Sequence, residues 1–182
     1  MLAVRRLLVA VAVVAMVGCG GGGGSGSDQA TITFEDERFG ITFDYPDDFR
    51  LGEVTDVVRT AGGSSTATQG VGIDDDNAIF LSRYELSTEV GKDNLDEVQT
   101  ELDGVVRELV GKDVSGRRTK VGGLIAFTYD GLDVTPPTAG RSDLLFVFDG
   151  DVQYQLNCQS TPTHRSRMDD ACNLARDTLS VA

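Results

Sequence analysis

The sequence predicts an α+β domain: an antiparallel sheet of about six to seven strands with helices packed on it. Three observations carry this. Several short segments alternate apolar and polar residues with period two, the mark of half-buried strands. Two pairs of these segments flank tight glycine turns, and two others repeat apolar residues at helical spacing. Runs of hairpins with a few helices pack as an antiparallel sheet covered by helices.

The strands begin with Ala30 to Glu35 and Gly40 to Tyr45, both alternating. Tyr45-Pro46-Asp47-Asp48 stops the second, because proline cannot donate to a sheet ladder and aspartate favours a turn. Leu51 to Val58 is a weaker strand, residues 60 to 70 read as a small, polar loop, and Asn77 to Glu85 is a further strand. A helix follows, with Asn94 and Glu97 spaced as a capping box. Leu95, Val98, Leu102, Val105, Val106 and Leu109 share its apolar face, and Gly111 is placed to end it. Arg117 to Val121 and Leu124 to Tyr129 flank Gly122-Gly123, a two-residue hairpin signal. Pro136 and Pro137 mark a loop, then Asp143 to Phe148 and Val152 to Cys158 form a second hairpin about Asp149-Gly150-Asp151. The last element is a helix, capped by Ser166 with Asp169, whose inner face holds Met168, Ala171, Cys172, Ala175 and Leu179.

Ahead of this domain stands a different kind of segment. Arg5 and Arg6 precede eleven apolar residues, Leu7 to Val17, the charge-then-apolar order of a secretory signal. A membrane-spanning helix needs roughly 20 apolar residues, so this run is too short to remain as an anchor. Met16-Val17-Gly18-Cys19 resembles the bacterial lipobox, with Met16 where leucine is usual. That resemblance implies a diacylglyceryl group on Cys19 and cleavage just before it. Residues 1–18 are then the signal peptide, and 19–28 the lipidated cysteine with its tether. Residues 29–182 form one globular domain. The tether is glycine and serine apart from Asp28; nine such residues reach roughly 15–18 Å on average. The competing reading is an ordinary secretory signal in which Cys19 merely lies near the cut.

Two cysteines remain, Cys158 and Cys172, an even pair in an exported and therefore oxidising setting. A disulfide is expected between them, tying the final helix to the final strand; two free buried thiols are the alternative. Only His164 lies nearby as a further ligand, too few for zinc, which takes four.

The net charge is −13, and removing the signal with Arg5 and Arg6 moves it to −15. An acidic surface repels phosphate backbones and anionic headgroups. Nucleic acid is therefore not an expected partner, and membrane contact falls to the acyl anchor at Cys19.

Several landmarks together resemble the PsbP/Mog1-like proteins, including small actinobacterial lipoproteins of that fold. In that family an opening strand pair carries an aromatic-Gly-x-x-aromatic-x-Tyr-Pro-x-x-aromatic stretch, matched by Phe39, Gly40, Phe43, Tyr45, Pro46 and Phe49. The strand after its central helix carries Gly-Gly-x-x-Ala, matched by Gly122, Gly123 and Ala126. Its closing strand and cysteine-linked terminal helix match Tyr154 to Val181. The resemblance spans most of residues 32 to 182 and implies an α/β/α sandwich used mainly to bind other proteins. Photosystem members of the family stabilise a protein–cofactor complex, and Mog1 binds a small GTPase. Fold does not fix function, so neither partner carries over.

No motif for catalysis or for a cofactor emerges. The mature chain has one histidine, His164, in a polar loop, and no Gly-x-Ser-x-Gly, Gly-Lys-Thr or His-Glu-x-x-His sequence. Asp74-Asp75-Asp76 before Asn77 has oxygens that suit calcium but lacks the alternating spacing of a calcium loop, and a solvated turn is the favoured reading. Asp47-Asp48 and Asp149/Asp151 read as turn residues. The expectation is a non-catalytic, membrane-anchored accessory module for an envelope protein partner. The alternative is a lipoprotein that captures a small or lipid ligand between sheet and helix, with Gly62, Gly63, Gly70 and Gly72 as a mobile rim. An enzyme using His164 with Asp74–Asp76 stands last.

Overall fold

A computed structural model describes residues 29–52, 65–134 and 140–181. A seven-stranded sheet, every neighbouring pair antiparallel, forms the centre. Its strands are β3 (Arg50–Gly52), β4 (Ser65–Asp74), β5 (Asn77–Glu85), β6 (Arg117–Val121), β7 (Leu124–Val134), β8 (Gly140–Asp149) and β9 (Val152–Ser160), in the order β3-β4-β5-β9-β8-β7-β6. A second sheet of three strands joins β1 (Thr31–Asp36), β2 (Ile41–Pro46) and the C-terminal β10 (Ser180–Val181), with β2 in the middle. Two helices complete the chain: α1 (Leu95–Val110) between β5 and β6, and α2 (Arg165–Thr178) between β9 and β10.

The alternation of β8 explains the layering. Leu145 and Val147 point into one core with Phe34, Phe39, Ile41 and Phe43 of the small sheet and Met168, Ala171 and Ala175 of α2. Leu144, Phe146 and Phe148 point into another, with Leu102 and Val106 of α1. The large sheet is thus apolar on both faces over β7 and β8, with α1 on one side and α2 plus the small sheet on the other. This is the α+β arrangement expected from the hairpin and helix pattern.

A bulge in β7 keeps its apolar residues on one side. Tyr129 faces Leu144 and Leu132 faces Ser142, so Asp130 and Gly131 of β7 stand against Asp143 alone of β8. Gly131 supplies the required positive φ of 70°, and its N–H is accepted by the Asp143 carboxylate. Without this shift in parity Leu132 would leave the α1-side core that Tyr129 occupies.

Several expectations are corrected. The loop assigned to residues 60 to 70 ends earlier than expected, because Ser65 already begins β4. Ala67, Val71 and Ile73 face the α2-side core, while Gly70 and Gly72 lie buried within β4 and form no loop rim. Gly72 sits opposite Ala78, and a Cβ there would stand 2.4 Å from the Ala78 side chain, so only glycine lets the two strands approach. Gly62 and Gly63, and Leu51–Val58 beyond Gly52, lie outside the described residues.

Neither expected helix cap forms. The Asn94 side chain turns back to close the preceding loop, accepting from Gly91 N–H (2.9 Å) and donating to the Glu89 carbonyl (3.0 Å), and makes no bond into α1. At α2 the turn of Thr161 to His164 starts the helix early, so His164 occupies the cap position and Ser166 lies inside. Gly111 does end α1, with φ 68° and its N–H donating to the Arg107 carbonyl.

Candidate functional site

The strand register divides the molecule into two ends. Thr31 pairs with Pro46, and Asp47 N–H donates to the Ala30 carbonyl at 3.0 Å, so the domain begins beside the Pro46 turn. Asp48 forms an ion pair with Arg167 at the start of α2, whose guanidinium lies 5.3 Å over the Phe49 ring. Ser160, Gly140 and Asn77 end or begin their strands on this side, while Glu85, Asp149 and Val152 lie at the other. The nine residues of β5 separate the two ends by roughly 30 Å. Cys19 and residues 20–28 lie outside the described residues; the described chain begins at Gln29, at the first of these ends.

Cys158 of β9 and Cys172 of α2 are joined by a disulfide across 6.1 Å between Cα atoms. Both are buried in the α2-side core next to Met168 and Ala171. The helix periodicity that puts Cys172 on the same face as Met168 and Ala175 is what aims it at the sheet.

The acidic turn is built from within. Asp74 Oδ1 accepts from Asp76 N–H (3.0 Å) and from the Asn77 amide (2.7 Å), while Asp75 and Asp76 stay exposed. Asn77 is buried, and its Oδ1 accepts both the N–H and the hydroxyl of Thr161 at 2.8 and 2.9 Å, fastening the turn to the loop that precedes α2. Among the described residues no group of three or more His, Cys, Asp or Glu side chains is placed to hold a metal ion. Asn77→Ala strands the half-buried Thr161 N–H, and about 1–2 kcal/mol of stability should disappear in urea titration. Asp75→Asn should change it by no more than about 0.5 kcal/mol. His164 is half-buried at the α2 cap, far in register from the Asp149–Val152 end, and its side chain makes no capping hydrogen bond.

One cluster was not singled out from sequence. Tyr129, buried in β7, donates to Asp103 of α1 at 2.6 Å, and Asp103 also accepts Gly116 N–H (2.8 Å) and the Ser115 hydroxyl (3.3 Å). Gly116 lies flat on the Tyr129 ring: an added Cβ would come within 2.5 Å of it. The cluster pins α1 to β6 and β7. Burial, then the bond and charge of Asp103, push the Tyr129 phenol well above its ordinary value of 10.0. The unfolded chain therefore ionises first as pH rises past about 10, and the folded state loses this contribution through the alkaline range above it. Tyr154 shifts in the same direction, chiefly by burial. Stability should fall by up to about 1.4 kcal/mol per pH unit per tyrosine there, and Tyr129→Phe should flatten that slope in alkaline unfolding curves.

At the end of the sheet opposite Gln29 and the Pro46 turn, α1 leaves a half-open cavity of about 380 Å³. Its walls are Leu86, Val90, Val98, Leu102, Val105 and Phe148, and Gln153 closes it from β9. Glu97 and Glu101 of α1 stand on its lining with exposed carboxylates. The sequence signal for it is slight: Val98, Leu102 and Val105 read there only as helix core.

No protein-family model matches the sequence, and no curated protein matches it. Solved structures do. The solution structure of cyanobacterial PsbP (CyanoP) from Synechocystis sp. PCC 6803 superposes with a TM-score of 0.54 at 14% identity, covering 90% of this chain and 98% of that one. The fold is PsbP-like. A second PsbP-like match is LpqN of Mycobacterium tuberculosis, whose crystal structure is described as that of a protein involved in cell envelope biogenesis; the TM-score is 0.53 at 16% identity, over 86% of this chain and 92% of LpqN. At such identities the PsbP likeness concerns the fold, and the resemblance read from Phe39 to Phe49, Gly122 to Ala126 and Tyr154 to Val181 agrees with it. Among the described residues no helix is long and apolar enough to cross a membrane.

Proposed function

We propose that the chain is a lipid-anchored, extracytoplasmic accessory module that docks on an envelope protein without catalysing a reaction. The observation that carries this reading is the sequence Met16-Val17-Gly18-Cys19 followed at once by a glycine-serine tether, ahead of a domain with a PsbP-like fold. The tether meets the domain at one end of the sheet, beside Asp48 and Arg167, which leaves the other end and both helix faces open to a partner. LpqN, of similar fold and described as involved in cell envelope biogenesis, supports the compartment. The charge of −15 on the mature chain favours a partner with a basic docking surface.

Crosslinking in living cells tests this. A photoreactive residue introduced at an exposed site such as Glu108 of α1 should give one recurring envelope-protein adduct, weakened in high salt. Adducts that change from preparation to preparation, or that form only with nucleic acid or cytosolic proteins, would sink the proposal.

A further inference from the structure

We propose that the cavity under α1 is a binding site for a small organic cation, an ammonium group carried on a compact apolar body. The walls are aliphatic and aromatic, and Val90, Leu102 and Phe148 are buried in the α1-side core. A volume of about 380 Å³ falls in the range of ordinary small-molecule sites. The lining carboxylates are all negative: Glu85, Glu97 and Glu101, with no Lys or Arg among the residues that enclose the space. Glu85 is already paired with Arg83 at 3.0 Å. Glu97 and Glu101 have no ion-pair partner among the described residues, and they stand four residues apart on α1, where like charges repel. A cation between them removes that repulsion, and the Phe148 ring offers a face for it.

Gln153 points to a ligand independently of these charges. Its side chain lines the cavity and is 8% exposed, yet its amide has no hydrogen-bond partner among the described residues. The amide is therefore open to the cavity and free to bond a polar group of a ligand, in a mostly apolar enclosure where such a bond is stronger than in water. The site lies at the end of the sheet away from the tether, roughly 30 Å along β5, which favours a free cation over a headgroup of the anchoring membrane. The preference for a free cation over a headgroup rests on the anchor proposal, whereas the cavity and its charges need neither Cys19 nor an envelope partner.

The test is methyl-detected NMR on the full chain in phosphatidylcholine nanodiscs, titrated with 2-phenylethylammonium, its neutral isostere 2-phenylethanol, and 3-phenylpropanoate. The ammonium probe should shift the Val90, Val98, Leu102 and Val105 methyls saturably. Glu97→Gln with Glu101→Gln should weaken it about three- to tenfold and leave 2-phenylethanol unchanged. Val98→Phe, which fills the space, should abolish the response to every probe. Exchanging phosphatidylcholine for phosphatidylethanolamine should move none of these methyls. Equal affinity for the carboxylate probe, insensitivity to the double substitution, no saturable shift at millimolar probe, or a response to the headgroup exchange would each overturn the assignment.

Discussion

Replacing Cys19 with alanine should move the protein out of the membrane fraction and leave its folded stability unchanged. Two acyl chains, at about 0.8 kcal/mol per buried methylene, give stable anchoring where one chain is marginal. Nothing else described replaces them. Without residues 1–18 the chain would carry −15, a charge that anionic headgroups repel, and no described helix is long and apolar enough to span a bilayer. Replacing Cys19 also removes the lipobox cleavage site, so residues 20–182 behind an ordinary cleavable secretory signal make the cleaner test. That protein should appear wholly in the soluble fraction, with a melting curve matching the anchored form. Retention at the membrane would show a second attachment and refute the division into anchor and domain. Mass spectrometry of the native protein should in turn find the diacylglyceryl modification on Cys19.

The parts of the fold visible in the sequence were those where one local pattern sufficed. β8 and β9 announce themselves through alternation about Asp149-Gly150-Asp151, and α1 through valines and leucines on one face, ended by Gly111. The parts that were not visible depend on contacts between distant segments. β4 looks like a loop because Gly70 and Gly72 lack side chains, and the reason for that lies across the sheet at Ala78. β10 is two residues long and exists only because α2 delivers it to Ile41 and Thr42 of β2. The caps fail for the same kind of reason: Asn94 finds better partners in the loop before the helix than in the helix itself.

The polar residues of β9 are the most instructive case. Gln153, Gln155 and Asn157 alternate with Tyr154, Leu156 and Cys158, a pattern that reads as a solvent face. All three are buried instead, on the α1 side of the sheet. Asn157 is satisfied by the Ser142 hydroxyl at 2.6 Å, whereas the Gln155 oxygen is buried with no partner. Alternation reports which residues share a face, not whether that face meets water. The cavity beside Gln153 was hidden for this reason, whereas a linear motif such as Met16-Val17-Gly18-Cys19 is read without any fold.

Opening the Cys158–Cys172 disulfide should cost about 3 kcal/mol, the largest single loss of stability expected here. The two cysteines are 14 residues apart, and releasing that loop restores entropy to the unfolded chain. For a domain of this size the melting temperature should fall by about 6–12 °C in the double variant Cys158→Ala/Cys172→Ala, and equally on reduction of the native protein. The damage should be uneven. α2 packs on β2 and β9, and the bond is its covalent hold on the large sheet; α1 is fixed by the separate core of Phe127, Phe146 and Phe148 and by the Tyr129–Asp103 bond. Hydrogen exchange should therefore quicken first in α2 and in β10, which follows it, with the Ser180 and Val181 pairing to β2 lost early. Uniform acceleration through both helices would mean that the two cores open together and that the disulfide stabilises the domain as one unit.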